Sequence, residues 1–101
     1  MIRMDALSKL NTESIRGWLD AHKGWRRRSN TLTKSFDLGS FRGSIVFVNR
    51  IASVADGLDH HPDIRVAGGI VTVTLTTHDA GGITEKDLKL AEQLDFATSV
   101  S

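Results

Sequence analysis

The sequence predicts an α+β domain in the order helix–strand–strand–helix–strand–strand–helix. Its four strands form an antiparallel sheet, and the helices pack on one sheet face. Three observations carry this prediction. Apolar residues recur at helical spacing in three segments, after Asn11, from Ser40 to Leu58, and after Thr84. Between these segments lie two pairs of short runs, each broken by a turn signal, Ser29-Asn30 and Gly68-Gly69. Strands joined by so short a turn pair antiparallel, and helices segregated to one face are the natural cover for such a sheet.

The elements follow in order. Met1 to Lys9 shows no periodicity and reads as a loose N-terminal arm of a single domain spanning residues 1–101. The first helix begins at Asn11 or Thr12, with Asn11 as N-cap and Glu13 placing negative charge in the first turn. Leu10 and Ile15 flank the cap at the spacing of a hydrophobic staple. Ile15, Trp18, Leu19 and His22 share one helical face, and Gly24 suits the left-handed position after the last turn. His22 is most simply a cation near a helix C-terminus.

Trp25 to Leu38 reads as a hairpin. Leu32, Phe36 and Leu38 share one strand face, with Lys34 the exception. The run Arg26-Arg27-Arg28 reads as a solvated strand, because no second basic cluster with interleaved aromatics supports a phosphate-binding patch. Ser40 to Leu58 carries two adjoining apolar stripes, Phe41-Ile45-Val48-Ala52-Ala55 and Phe47-Ile51-Val54-Leu58. So wide an arc predicts burial on two sides, one against the sheet and the other against the first helix or another subunit. Pro62 is expected to end this helix by holding His61 extended. His60 then sits at the helix exit, and the two imidazoles point in different directions.

Asp63 to Ala67 is a short strand and Ile70 to Thr77 a longer one, with Val71, Val73 and Leu75 on one face. His78 would lie on the polar face or at the strand end. The loop Ala80-Gly81-Gly82 permits close backbone approach to a ligand. The last helix starts at Thr84, where Thr84 and Asp87 have cap-then-acid spacing. Leu88, Leu90, Ala91, Leu94 and Ala97 supply its buried side, and the tail beyond Ala97 is expected to fray.

The totals exclude several function classes. A chain of 101 residues is one domain, small enough that a subunit interface would help its stability. There is no cysteine, so disulfides, thiolate zinc sites and cysteine nucleophiles are absent. A net charge of +1 does not predict a nucleic-acid partner. No apolar run of about 18 residues and no signal-peptide core is present, so a cytoplasmic protein without membrane association is expected. No Walker or Gly-x-Gly-x-x-Gly pattern indicates a nucleotide cofactor, and no Gly-x-Ser-x-Gly elbow indicates acyl chemistry.

The chemistry concentrates between His60 and Asp87. Three of the four histidines lie there, each close to a carboxylate. Imidazoles give and take protons near neutral pH, so this set suits a reaction that protonates one atom and deprotonates another. Two other readings stand beside it. His60 or His61, His78 and Asp87 could form a facial metal triad, although the spacing matches no helical or paired zinc motif. Asp87 could simply cap its helix.

The motifs His60-His61-Pro62-Asp63, Thr76-Thr77-His78-Asp79-Ala80-Gly81-Gly82 and Thr84-Glu85-Lys86-Asp87 resemble the signature of the pterin-4a-carbinolamine dehydratases, also called 4a-hydroxytetrahydrobiopterin dehydratases. The resemblance covers nearly the whole chain and includes Gly24-Trp25, Phe36, Phe41, Phe47 and Asp56 upstream. It implies a homodimer or homotetramer that extends the sheet across subunits. It also implies dehydration of 4a-hydroxytetrahydropterins to quinonoid dihydropterins, with no metal or separate cofactor, recycling the pterin used by aromatic amino acid hydroxylases. Carried over by position, the catalytic set is His60, His61, His78 and Asp87. His60 and His78 would share the acid and base roles, His61 would mainly position the pterin, and Asp87 would orient a histidine. Asp63, Thr77 and Asp79 would contact the pterin's polar edge. Relatives also include transcriptional coactivators and assembly factors, so a non-catalytic role through the Phe41–Leu58 surface is the competing expectation. One departure stands out. Many members have an aromatic residue soon after the proline, whereas Ile64-Arg65-Val66-Ala67-Gly68-Gly69 has none.

Overall fold

The computed structural model describes residues 8–99. Helix α1 (Thr12–Ala21) leads into strands β1 (Arg26–Arg28) and β2 (Thr31–Asp37). Helix α2 (Phe41–Leu58), strands β3 (Asp63–Ala67) and β4 (Ile70–Leu75), a 3₁₀ turn (His78–Ala80) and helix α3 (Glu85–Ser99) follow. The strands form one antiparallel sheet in the order β1-β2-β4-β3. The α+β order read from the sequence is the order observed. Most of the arm assigned to residues 1–9 lies outside the described residues. Leu10 is tied down, its N–H donating to Ile83 O at 2.8 Å. At the other end α3 continues past Ala97 to Ser99, with the Thr98 hydroxyl on Asp95 O at 2.8 Å.

Strand alternation sets the core. Leu32, Phe36, Val71, Val73 and Leu75 point to the helix side and are buried. Ile15 from α1, Phe47 and Ile51 from α2, and Leu90 and Leu94 from α3 meet them there. The opposite face carries paired hydroxyls, Thr33 with Thr74 at 3.4 Å and Ser35 with Thr72 at 2.9 Å. Lys34 has core parity yet is accommodated. Its ammonium lies 2.7 Å from Asp95 Oδ1 and 4.8 Å from the centre of the Phe36 ring, a snorkelling cation over an aromatic face.

The caps explain the helix starts. Asn11 Oδ1 accepts from Ser14 N–H at 2.8 Å, and Ser40 Oγ accepts from Gly43 N–H at 3.0 Å. At the end of α1, Gly24 takes positive φ (93°), beyond the His22 cap. His22 stacks on Trp18 with ring centroids 4.0 Å apart, and its Nδ1 lies 2.7 Å from Trp18 O.

Two expectations about α2 are corrected. Its sheet-facing stripe is Ser44-Phe47-Ile51-Ala55, so Ala55 joins the second stripe and Phe41 and Ile45 lie outside the core, 61% and 40% exposed. The small Ser44 lets α2 sit close to the β3–β4 turn, where its hydroxyl donates to Gly68 O at 2.8 Å. Second, α2 ends at Leu58 as expected, but the reversal is made by the left-handed Asp59, before Pro62 is reached.

Gly69 shows why the β3–β4 turn tolerates no bulk. A Cβ there would lie 2.9 Å from Ser40 N and 3.2 Å from Gly39 C, backbone atoms that cannot rotate aside. Gly69 O also accepts from Leu38 N–H at 2.7 Å, so the two loops are locked together. Gly69→Ala is expected to destabilise the fold by about 1–3 kcal/mol through overpacking, read as a lowered urea midpoint.

Candidate active site

His60 is placed by the way α2 ends. Asp59 adopts a left-handed backbone (φ 52°), its N–H donates to Asp56 O at 3.2 Å, and His60 N–H donates to Ala55 O at 3.1 Å. This is a Schellman arrangement with aspartate where glycine is usual. It reverses the chain before Pro62 and turns the His60 ring toward the start of α3.

Asp87 receives it there. The His60 Nε2–Asp87 Oδ1 distance is 2.6 Å, and Asp87 is fully buried. The second oxygen, Oδ2, accepts from Thr84 N–H at 2.9 Å and from the Thr77 hydroxyl at 2.8 Å. Thr84 Oγ1 in turn accepts from Lys86 N–H at 3.2 Å, which completes a capping box at the α3 N-terminus. The two readings of Asp87, cap and histidine partner, are therefore both realised, one on each oxygen. A carboxylate only accepts, so His60 donates through Nε2, and in the neutral ring Nδ1 is left as an acceptor.

Thr77 reaches Asp87 because β4 ends at Leu75, two residues before the expected end. Thr77 keeps the core parity of Val71, Val73 and Leu75 and is buried. Its N–H donates to Gly82 O at 2.9 Å, its carbonyl accepts from Ala80 and Gly81 N–H, and its hydroxyl is bonded to both Asp87 and Thr84. Thr77, expected to contact substrate, has these groups bound internally and positions Asp87. The chain then tightens into the 3₁₀ turn, which leaves His78 exposed at the turn rather than on the sheet face.

A cleft of ≈ 350 Å³ opens over these groups. His60, His61, Thr77, His78 and Asp79 line it, as do Asp59, Thr76 and Lys86, three residues to which the sequence reading assigned no role. Adjacency was the available signal for two of them: Asp59 precedes His60 and Lys86 precedes Asp87. His61 pairs with Asp56 at 2.9 Å, but both side chains are exposed, so the pair restrains His61 weakly. The imidazole of His78 makes no hydrogen bond among the described residues. Asp63 stands apart, lining a groove on the uncovered sheet face with Arg65, Thr72 and Thr74. Among the described residues no three His, Asp or Glu side chains are grouped to hold a metal ion, so the facial triad is not assembled. No described helix is long and apolar enough to cross a membrane.

Comparison with known proteins places the chain among its relatives. Residues 8–97 match the family model described as pterin 4 alpha carbinolamine dehydratase. A chain from Sulfurisphaera tokodaii, bearing the provisional name pterin-4-alpha-carbinolamine dehydratase, is 40% identical over 88% of this chain and 96% of its own. The crystal structure of a transcriptional coactivator/pterin dehydratase from Brucella melitensis superposes with a TM-score of 0.84. It is 33% identical, covering 88% of this chain and 97% of that one. A pterin dehydratase-like protein identified as a RuBisCO assembly factor of the alpha-carboxysome superposes with a TM-score of 0.65. It is 25% identical, covering 79% of this chain and 95% of that one. With nearly its whole length matched by one family model, the chain belongs to the pterin-4-alpha-carbinolamine dehydratase family.

Proposed function

We propose that this protein dehydrates 4a-hydroxytetrahydropterins, such as 4a-hydroxytetrahydrobiopterin, to quinonoid dihydropterins by histidine acid–base catalysis. The observation that carries this reading is the buried Asp87 holding His60 at 2.6 Å beside an open cleft that His61 and His78 also line. The elimination breaks the C4a–O and N5–H bonds and forms a C4a=N5 double bond, releasing water. It needs a base at N5 and an acid at the departing hydroxyl. His60 is the base, since donation to Asp87 leaves Nδ1 as its acceptor. His78, whose ring makes no hydrogen bond among the described residues, is the acid. His61, paired with Asp56, positions the ring, and Asp79 contacts the substrate on the side of His78. The balance of protons requires no metal or separate cofactor. The substrate is the pterin species left by aromatic amino acid hydroxylation, which links the protein functionally to such a hydroxylase. The test follows decay of enzymatically generated 4a-hydroxytetrahydrobiopterin. Acceleration by the wild-type protein supports the reading, and an unchanged rate sinks it.

A second reading, a non-catalytic assembly role, is favoured by the resemblance to the RuBisCO assembly factor and by exposed apolar side chains on α2. Under it, substitutions at Phe41 and Ile45 would abolish function, while histidine substitutions would not.

We also propose that the chain forms a homodimer or homotetramer. Edge strand β3 exposes Ile64 and Val66, and α2 exposes Phe41, Ile45 and Val46. Light scattering is expected to give a multiple of the 11.1 kDa chain mass. A Val66→Lys substitution is expected to lower that multiple, because it places a charge on the pairing edge.

A further inference from the structure

The hydrogen bonds of the cleft divide its lining into two sets. His60 and Thr77 are committed to Asp87, and His61 to Asp56. Asp59, His78, Asp79 and Lys86 line the same cleft. Among the described residues their side chains take part in no hydrogen bond or ion pair. The first set is anchored and meets a ligand through the remaining ring nitrogens of His60 and His61, and the second is available to it through every polar side-chain atom.

Asp59 and Lys86 are the immediate chain neighbours of the two partners in the His60–Asp87 contact. That contact therefore fixes where both residues sit. The Asp59 backbone is further set by its left-handed conformation, and that of Lys86 by its N–H on Thr84 Oγ1. Their charges are opposite, yet they form no ion pair within 4.0 Å. A carboxylate and an ammonium held apart in one cleft complement a ligand edge that presents N–H donors beside a carbonyl oxygen.

The substrate assigned above has such an edge in its 2-amino group, N3–H and 4-oxo oxygen. The oxo oxygen is also the peri neighbour of N5. A base that takes the N5 proton must lie next to whatever receives that oxygen. Lys86 meets this condition, because it adjoins the residue that holds His60. Asp79, by contrast, follows His78 directly and belongs to the acid's side of the cleft.

We propose that Lys86 donates to the 4-oxo oxygen and that Asp59 accepts from N3–H and the 2-amino group, so that the two residues orient the pterin for proton removal at N5. This assignment rests on the dehydratase reading, and its test separates the two. Calorimetric titration with 7,8-dihydrobiopterin is paired with dehydration kinetics for the wild type and for Lys86→Met, Lys86→Arg and Asp59→Asn. Lys86→Met and Asp59→Asn are expected to weaken binding and raise KM by about 10-fold or more, as for loss of a charge-assisted hydrogen bond. In Lys86→Met kcat is expected to fall by much less than the about 10²-fold of a lost general acid or base, because Lys86 orients the ring and transfers no proton. Lys86→Arg is expected to restore most of the affinity, which a merely solvated lysine would not require. If wild type accelerates dehydration while both variants keep wild-type KM and affinity, the assignment is overturned and the dehydratase reading stands. If dihydrobiopterin binds in a Lys86- and Asp59-dependent way without any acceleration, the assignment stands and the dehydratase reading falls.

Discussion

His78→Ala is expected to slow dehydration of 4a-hydroxytetrahydrobiopterin by about 10²-fold or more, the usual cost of removing a general acid or base. The effect should be confined to the rate. His78 is exposed on the 3₁₀ turn, and its ring makes no hydrogen bond among the described residues. Truncation at such a position changes stability by no more than about 0.5 kcal/mol. Stopped-flow decay curves and a denaturation midpoint, measured on the same preparation, separate the two. A variant that dehydrates as fast as wild type would remove His78 from the mechanism.

Asp87 should behave differently, because it serves the fold and the chemistry together. Asp87→Ala leaves the Thr84 N–H and His60 Nε2 without their acceptor, while the Thr77 hydroxyl keeps Thr84 Oγ1 as a partner. Each unsatisfied buried group costs about 1–3 kcal/mol, so a loss of about 2 kcal/mol or more in unfolding free energy is expected. Against a total of about 5–15 kcal/mol, that is a large fraction for a domain of this size. Asp87→Asn separates the roles. Its carbonyl oxygen can still accept from Thr84 and Thr77, while its amide faces His60. The amide donates, so His60 Nε2 must accept and the ring proton moves to Nδ1. The proposed base would then present a donor to N5. Activity is expected to fall by about 10²-fold or more, with a smaller stability loss than in Asp87→Ala. Equal losses of stability in both variants, with Asp87→Asn fully active, would reduce Asp87 to a helix cap.

Much of this arrangement was legible residue by residue. Asn11 accepts the N–H group that its type and position predict, because capping depends on only a few neighbouring residues, and Ser40, read as the first residue of α2, caps that helix in the same way. The hairpin turns fall at Ser29-Asn30 and Gly68-Gly69 for the same reason. The α2 register was harder to read. Periodicity marks an apolar arc but not which part of it meets the sheet. That choice fell to a small residue, Ser44, whose hydroxyl bonds the β3–β4 turn while Phe41 stays outside. The end of α2 at Leu58 was legible, but the reversal was credited to Pro62 because left-handed backbone is rare for residues other than glycine, and Asp59 carries no strong signal for it.

Sequence alone determined the element order, the antiparallel pairing, the three histidines and the pairing of Thr84 with Asp87, since each depends on local spacing or on residue chemistry. Only the tertiary structure decided which groups meet. It brought His60 to Asp87 across 26 intervening positions, turned Thr77 inward to hold that carboxylate, moved Asp63 to the far sheet face, and added Asp59 and Lys86 to the cleft. The physical reason is that such contacts are set by where strand β4 leaves the sheet and where helix α2 reverses. Those points follow from packing and buried hydrogen bonding across the whole domain, which no local window of sequence contains.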